Sequence, residues 1–297
     1  MKKLLRWGRD LPEKDPEVGK QAKMSTASPQ GTSTLSPPLL ALAAELEHLL
    51  PGRAEQLLSQ LCAGLKRDAP EDQRYRAAEI AAGVVYPKFK FSEYGRLFLE
   101  DEHFLTYYRR FMDPDNWHSL DRKYTLDQLL KLALAVDGDV VECGVYKGMT
   151  AYLMCRAVGG TGRWVHLFDS FEGLSAPGKL DGDYWVPGAL GAPEAELRKT
   201  LAEFDNYHVY RGWIPQRFSE VAQRRFSFIH IDVDLYRPTL DSLEFFYPRI
   251  ARGGIILMDD YGFITCPGAK RAADEFFSDK PEPILMLTTG QALVIKR

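Results

Sequence analysis

Cysteine is scarce in this chain of 297 residues. There are four cysteines, at Cys62, Cys143, Cys155 and Cys266. None forms a Cys-x-x-Cys pair or belongs to a His/Cys cluster with the spacing of zinc ligands. The pattern therefore argues against a disulfide framework and against a structural zinc site. Sparse, unpatterned cysteines are typical of reduced thiols, so we expect a cytoplasmic protein.

An excess of one charge is also missing. The chain has 38 Lys and Arg against 41 Asp and Glu, a formal net charge of −3 with the histidines neutral. A balance this close to zero argues against a dedicated nucleic-acid-binding protein. Long apolar runs are missing too, because the apolar stretch at residues 39–50 is interrupted by Glu45, Glu47 and His48. We therefore expect neither nucleic acid nor a membrane as a partner.

The remaining composition is ordinary. With 45% hydrophobic and 27% charged residues, it excludes collagen-like, coiled-coil and mostly disordered proteins. Residues 1–40 include a Ser-, Thr-, Pro- and Gly-rich stretch with little to bury, and they are predicted to be a mobile tail. Residues 41–124 are predicted to be helical, with dense aromatic residues that pack in a helical layer or line a lid. In the third region, residues 125–297, Thr125 is predicted to cap a helix reaching about Val136.

From residue 139 onward, short apolar runs alternate with helical segments. This alternation predicts an α/β fold in which right-handed crossovers join parallel strands into a doubly wound, Rossmann-like sheet. Two apolar segments around Gly290 predict a closing hairpin that adds one antiparallel strand. The predicted strands are residues 139–145, 164–169, 207–212, 226–232 and 253–260. The predicted helices between and after them are residues 148–158, 194–204, about 239–250 and 268–277.

Two strand ends carry a glycine turn and an acid. The first strand ends at Glu142, and Gly144 and Gly148 bracket a turn into a helix. This is neither GxGxxG nor a P-loop, so the turn either approaches a ligand or is purely structural. Asp169 ends the second strand, where it could accept hydrogen bonds from the ribose of a dinucleotide or of S-adenosylmethionine (SAM). The alternative for Asp169 is a helix N-cap.

Four acids follow the fourth and fifth strands. They are Asp232 and Asp234, then Asp259 and Asp260. If these strands are neighbours, the carboxylates converge at one rim and repel one another. A divalent cation would relieve that repulsion, and oxygen donors favour Mg²⁺ or Mn²⁺. The ion could polarise a hydroxyl while a nearby carboxylate accepts its proton. The alternative is that some of these acids cap helices or face water.

The segments ECGVYKGMT, FDSFEGL, HIDVDLYRPTLDSLE and GGIILMDDYG occur in this order. Over roughly residues 120–297 the chain resembles the macrocin O-methyltransferase (TylF-type) family. The resemblance implies a class I SAM methyltransferase fold and a SAM- and Mg²⁺-dependent enzyme that methylates sugar hydroxyls, mostly on natural products such as antibiotics. It also implies a homo-oligomer, such as a dimer. Met149 replaces a usual glycine, and Arg237 and Pro238 stand where small polar residues are common.

The resemblance implies a role for each matching residue. Asp234 would be the general base for a hydroxyl whose oxygen binds Mg²⁺. Asp232, Asp259 and Asp260 would bind the Mg²⁺ ion. The cofactor would be bound around its methionine part by Glu142, Gly144, Tyr146 and Gly148, at its ribose by Asp169 and Ser170, and at its adenine by Gly212 and Trp213. Val145, Thr150 and Asp232 would also bind the cofactor.

Other functions stay open at this point. A catechol-type or other small-molecule O-methyltransferase would use the same cofactor and metal. An NAD(P)-dependent oxidoreductase is disfavoured because GxGxxG and a Tyr-x-x-x-Lys pair after the fourth strand are missing. A non-catalytic partner protein is disfavoured because all four acids are present.

Some residues have secondary interpretations. His166 and His230 are predicted either to belong to the core or to support site residues rather than to act in catalysis, while His103 and His118 are alternative bases. The connection at residues 179–190 is predicted either to close over substrate or to be a plain surface loop.

Overall fold

The structure is a computed structural model of the chain. It describes residues 36–47, 51–52, 54–85, 100–111 and 119–297. Most of the predicted tail, the aromatic residues between 86 and 99, Trp117 and His118 lie outside these ranges. The chain divides into two compact units, Met1–Glu93 and Tyr94–Arg297. None of the helices in the described ranges combines the length and the apolar character that a bilayer-crossing helix requires.

The described residues of the first unit form three helices, in or next to the region predicted to be helical. They are α1 (Pro37–Leu46), α2 (Ala54–Gly64) and α3 (Glu71–Val85). Helix α1 begins at a proline, whose missing N–H would have no partner in a first turn. Helices α2 and α3 pack closely, because a Cβ atom at Gly64 would collide with Ala77.

The second unit begins with two helices, α4 (Glu102–Phe111) and α5 (Leu120–Ala133). The predicted start of α5 at Thr125 is wrong, since the helix begins after Ser119 and Thr125 lies within it. Its buried residues recur at helical spacing, and this stripe extends back to Lys123. A lysine at a buried position conceals the stripe in the sequence. The buried residues of α5 are Lys123, Leu126, Leu130 and Ala133.

Within the described ranges, the sheet has seven strands in the order β3-β2-β1-β4-β5-β7-β6. Strands β1 to β5 pair in parallel, as predicted. Strand β7 runs antiparallel to β5, and the hairpin also adds the short edge strand β6. The strands are β1 (Asp139–Cys143), β2 (Val165–Asp169), β3 (Tyr207–Arg211), β4 (Phe226–Ile231), β5 (Ile250–Met258), β6 (Leu285–Met286) and β7 (Ala292–Ile295).

Four helices connect or follow these strands. Helix α8 begins at Tyr236, three residues before its predicted start, because Pro238 is tolerated in a first helical turn. Helix α7 ends earlier than predicted, at Thr200. The helices are α6 (Met149–Val158), α7 (Glu194–Thr200), α8 (Tyr236–Phe246) and α9 (Pro267–Phe277).

The core lies on both faces of the sheet. Side chains alternate along a strand, so Val140 of β1 packs in one apolar cluster and Val141 in another. Helices α5 and α6 supply the first cluster, and α8 and α9 supply the second. With both faces covered, the carboxyl ends of the parallel strands are left as the place where polar side chains meet.

Candidate active site

A cavity of about 890 Å³ opens at the carboxyl ends of the strands. Residues following β1, β2, β3, β4 and β5 line it, together with the first turn of α5. Eleven of the fourteen predicted site residues face this cavity: Glu142, Gly144, Val145, Tyr146, Thr150, Asp169, Ser170, Trp213, Asp232, Asp234 and Asp260. The other three, Gly148, Gly212 and Asp259, are not among its lining residues.

The turn after β1 is held by Asp169. Its Oδ2 atom accepts hydrogen bonds from the backbone N–H groups of Val145 at 2.7 Å and Tyr146 at 3.0 Å. Its Oδ1 atom accepts one from the Phe171 N–H at 2.7 Å. The first helix after β2 is α7, far along the chain, so the N-cap alternative for Asp169 is wrong. Asp169 instead stabilises the turns that follow β1 and β2, because it accepts hydrogen bonds from backbone N–H groups of both.

Glycine is required in this turn for two reasons. Gly144 has a φ of 82°, and a Cβ atom there would collide with the backbone carbonyl of Asp232. Gly148 has a φ of 84°, begins α6, and leaves no room for a Cβ atom against Leu197. Gly144 allows the turn to pass close to the backbone that follows β4. Gly148 allows the start of α6 to pack against Leu197 of α7.

Glu142 and His230 form a buried pair beneath the cavity. Glu142 Oε1 lies 3.0 Å from His230 Nδ1, and His230 Nε2 lies 3.3 Å from Asp259 Oδ1. Burial lowers the pKa of His230 to about 3, so its imidazole is neutral. His230 is buried, and its role in supporting the neighbouring acids stays a prediction. Glu142 Oε2 is buried and has no hydrogen-bond partner among the described residues, although Glu142 lines the cavity.

Three of the four rim acids converge on the cavity. The backbone N–H of Asp234 donates to Asp260 Oδ2 at 2.9 Å, and the Cys266 thiol donates to Asp234 Oδ1 at 3.4 Å. Burial and the charge of Asp232 raise the pKa of Asp234 to about 7. Burial and these neighbouring acids also raise the pKa of Asp260 well above its usual value. Asp234 has a φ of 58°, a strained conformation for a residue with a side chain.

Asp259 lies behind this group. Its side chain is fully buried, forms an ion pair with Arg122, and accepts a hydrogen bond of 2.6 Å from Gln291 Nε2. Potential metal-ligand atoms of Asp259, Asp232 and His230 lie within 4.8 Å of one another, and those of Asp234, Asp260 and Cys266 form a second such group. The three predicted metal ligands are thus divided between two adjoining groups.

Sequence reasoning missed two cations, Arg122 and Lys123. Arg122 lies over the Phe263 ring at 4.8 Å, besides its ion pair with Asp259. The Lys123 Nζ atom donates to Thr150 Oγ1 at 2.9 Å. Both residues line the cavity from α5, which packs on the sheet far from the acids in sequence. The signal in the sequence is weak, because Lys123 continues the spacing of Leu126 and Leu130 but a lysine is ordinarily read as a surface residue.

The mouth of the cavity is formed partly by the connection at residues 179–190. Tyr184, Trp185 and Leu190 line the cavity, so the interpretation as a plain surface loop is wrong. The Trp185 Nε1–H donates to the Cys266 sulfur at 3.4 Å, and Asp181 accepts from the Tyr236 N–H at 2.6 Å. The connection is therefore anchored to α8 and α9. Its closure over substrate stays a prediction.

The two other described histidines of interest lie away from the cavity. His103 is exposed on α4 and is not among the lining residues, which removes its support as an alternative base. His166 is buried on β2, between Asp139 Oδ2 at 3.1 Å and the Tyr210 hydroxyl at 2.9 Å. Its predicted core role is confirmed.

The strand order and the cavity at the strand ends define the fold of class I SAM-dependent methyltransferases. Within this class, the chain belongs to the macrocin O-methyltransferase (TylF) family, which matches residues 123–286.

Two curated relatives are similar over about half of the chain. One is the 8-demethyl-8-(2,3-dimethoxy-alpha-L-rhamnosyl)-tetracenomycin-C 4'-O-methyltransferase of Streptomyces olivaceus, 33% identical over 46% of this chain and 58% of the relative. Another is the demethyldecarbamoylnovobiocin O-methyltransferase of Streptomyces niveus, 31% identical over 48% of this chain and 58% of the relative. The chain thus spans less than two thirds of either relative.

Solved structures with the same fold include two methyltransferases. The O-methyltransferase NovP aligns with a TM-score of 0.51 and 25% identity, over 62% of this chain and 84% of NovP. A calicheamicin methyltransferase aligns with a TM-score of 0.55 and 19% identity, over 82% of this chain and 93% of its own, and this likeness concerns the fold alone.

Proposed function

We propose that this protein is a SAM-dependent, divalent-metal-dependent O-methyltransferase. Its acceptor would be a hydroxyl of a sugar or of a glycosylated small molecule, in natural-product or polysaccharide tailoring. The observation that carries the proposal is one cavity in which the glycine turn after β1 lies beside buried acids that follow β4 and β5. One relative is named for an acceptor that carries a rhamnosyl group and the other for a novobiocin derivative, and both names support the acceptor class.

The cofactor would lie along the ends of β1, β2 and β3. The methionine part of SAM would lie against Glu142, whose Oε2 atom lacks a partner among the described residues. The ribose would lie at Asp169 and the adenine against Trp213, both of which line the cavity. Gly148 and Gly212 do not line the cavity, so they would shape the turns that bind the cofactor rather than contact the cofactor themselves.

The donor set suits a hard divalent cation. Asp232 and Asp260 line the cavity, and Asp259 lies directly behind them. Carboxylate oxygens are the ligands that Mg²⁺ and Mn²⁺ prefer, so the residues fit the ion. To bind the ion, the Asp259 carboxylate would have to give up its ion pair with the Arg122 guanidinium. When bound, the ion would polarise the acceptor hydroxyl and make its proton easier to remove.

Asp234 would take that proton. Its carboxylate lines the cavity, and its backbone is fixed by the hydrogen bond to Asp260. The Cys266 thiol holds one carboxylate oxygen, which leaves the other to face the acceptor. The hydroxyl oxygen would then attack the methyl carbon of SAM as the carbon–sulfur bond breaks, releasing S-adenosylhomocysteine.

Calorimetry followed by a methyl-transfer assay tests the proposal. We expect S-adenosylhomocysteine to bind and NAD(P) not to bind. With labelled SAM and Mg²⁺, label should pass to a glycoside from a panel of sugar-bearing small molecules, and EDTA should stop the transfer. Binding of NAD(P) alone would instead support an oxidoreductase, and binding of neither would support a non-catalytic partner. Transfer to catechols but to no glycoside would contradict the sugar acceptor.

A further inference from the structure

Lys123 is a buried cation that donates a hydrogen bond to a neutral group. It is 4% exposed, and its Nζ atom donates to the Thr150 hydroxyl at 2.9 Å. Among the described residues, no carboxylate forms an ion pair with it. An ammonium carries three donors, and burying one without a counter-ion is unfavourable. The charges of Asp232, Glu142 and Asp260 act on Lys123 from farther away, and the hydrogen bond to Thr150 uses one of its three donors, so the ammonium can still bind an anionic ligand.

The other cations lining the cavity are already paired. Arg122 is bound to Asp259 beneath the cavity. Arg237 is bound to Asp241, and its side chain is 68% exposed at the mouth. Lys123 differs from both, because it is buried and holds only a hydroxyl. An anionic group entering the inner part of the cavity would meet Lys123 as its partner.

Glu142, an acid that lines the same cavity, also has an atom that could bind a ligand. Glu142 is 1% exposed, and its Oε2 atom has no hydrogen-bond partner among the described residues. Burial lowers the pKa of Lys123, while the negative charges of Asp232 and, less strongly, Glu142 oppose that shift, so Glu142 lies near the lysine. A ligand that carries an ammonium and a carboxylate on one carbon would satisfy both side chains at once.

The start of α6 favours the carboxylate at the lysine end. Thr150 is the second residue of this ten-residue helix, whose amino terminus attracts negative charge. The Thr150 hydroxyl accepts a hydrogen bond from Lys123 and can still donate its own hydrogen. Lys123 and Thr150 together thus offer two donors to one anion.

We propose that Lys123 binds the α-carboxylate of the methionine part of SAM, while Glu142 binds its α-ammonium. The proposal rests on the proposed function for the identity of the ligand. It goes further by assigning a binding role to a residue of α5 that sequence motifs did not single out. No proton or electron is transferred, because the interaction is an ion pair with hydrogen bonds.

The test compares two ligands on two proteins by calorimetry. The ligands are S-adenosylhomocysteine and its decarboxylated analogue, which keeps the amine but lacks the carboxylate. The wild type should bind the first about 10- to 100-fold more tightly, as expected for a hydrogen-bonded charge pair. In Lys123→Met, affinity for S-adenosylhomocysteine should fall by a similar factor, and the preference between the two ligands should disappear.

Lys131→Met is the matched control. Lys131 lies on the same helix with a side chain 60% exposed, so its loss should change neither affinity. Thermal unfolding of each variant checks that it is folded.

Two results would overturn the proposal. One is an equal loss of affinity for both ligands in Lys123→Met, which indicates a purely structural lysine. The other is a wild type that does not distinguish the ligands, a result that needs no variant. Failure of the wild type to bind S-adenosylhomocysteine at all would instead refute the proposed function.

Discussion

Two buried histidines lie at different places on the sheet, and each lies between two polar side chains. The two groups differ in whether all of their polar atoms have hydrogen-bond partners among the described residues. His166 lies between Asp139 and Tyr210, and Asp139 also accepts from the Trp164 N–H at 3.0 Å. His230 lies between Glu142 and Asp259, nearer the carboxyl ends of the strands. The first group is satisfied within the protein. The second leaves Glu142 Oε2 without a partner among the described residues, beside a cavity.

This difference separates structural polar groups from ligand-binding ones. Buried polar atoms in proteins are nearly always hydrogen-bonded, so an exception in a residue that lines a cavity marks an atom that a bound ligand could contact. Changes in the Asp139 group should therefore alter stability alone. Changes at the carboxyl ends of the strands should alter binding and turnover.

The largest effect is expected from removing two proposed metal ligands. Asp259→Asn combined with Asp260→Asn should abolish methyl transfer together with its dependence on Mg²⁺, because amides are neutral and weaker donors. Turnover with Mg²⁺ and with EDTA measures this. The control is Asp274→Asn with Glu275→Gln, an adjacent acidic pair on α9 outside the cavity lining. Full methylation by the first double variant in EDTA would refute the metal assignment.

Asp234→Asn should have the next largest effect. The amide cannot accept the proton of the acceptor hydroxyl, so turnover should fall by about 10²-fold or more. Affinity for S-adenosylhomocysteine, measured by calorimetry, should stay close to that of the wild type. A turnover near the wild-type rate would contradict the assignment of the base.

Arg122→Met should act in the opposite direction on metal binding. The guanidinium occupies Asp259, so its removal should tighten Mn²⁺ binding by about tenfold, as expected for losing a nearby like charge. Titration followed by electron paramagnetic resonance measures this affinity. In EDTA the same variant should unfold at a lower temperature, because the buried acids lose a cation. Unchanged Mn²⁺ affinity would show that Arg122 and the ion do not compete.

Asp139→Ala should leave the cavity unaffected and destabilise the fold by about 1–3 kcal/mol, since buried donors lose their acceptor. Burial opposes ionisation of Asp139, yet hydrogen bonds from His166 and Trp164 and nearby positive charge lower its pKa on balance. The stabilisation is thus present above the unfolded-state pKa and is lost as pH falls through the lower folded-state value. Denaturant unfolding at pH 7 and in acid should show the difference shrinking. Weakened S-adenosylhomocysteine binding would contradict the comparison of the two groups.

Much of the fold could be predicted from the sequence, because the signals are local. Alternating apolar runs and helical segments predict β1 to β5 within a few residues. The positions of Asp232, Asp234 and Asp260 at one rim follow from where the strands end. The separate position of Asp259 has a physical reason, since adjacent residues at the end of a strand point in different directions.

What could not be predicted depends on contacts distant in sequence. Helix α5 brings Arg122 and Lys123 against residues that follow strands later in the chain. No spacing rule connects Lys123 with Thr150, because only the packed fold makes them neighbours. The wrong start of α5 at Thr125 has the same origin, since a buried lysine is read as a surface residue.

The hydrogen bonds to Asp169 have a consequence for motion. One carboxylate accepts from the N–H groups of Val145, Tyr146 and Phe171, which belong to two different connections. Opening either connection requires breaking bonds to the same side chain. These three amides should therefore exchange with deuterium as one cooperative unit, with a shared opening free energy. The connections after β1 and β2 would then fluctuate together. A ligand that restricts the motion of one connection would also restrict the motion of the other.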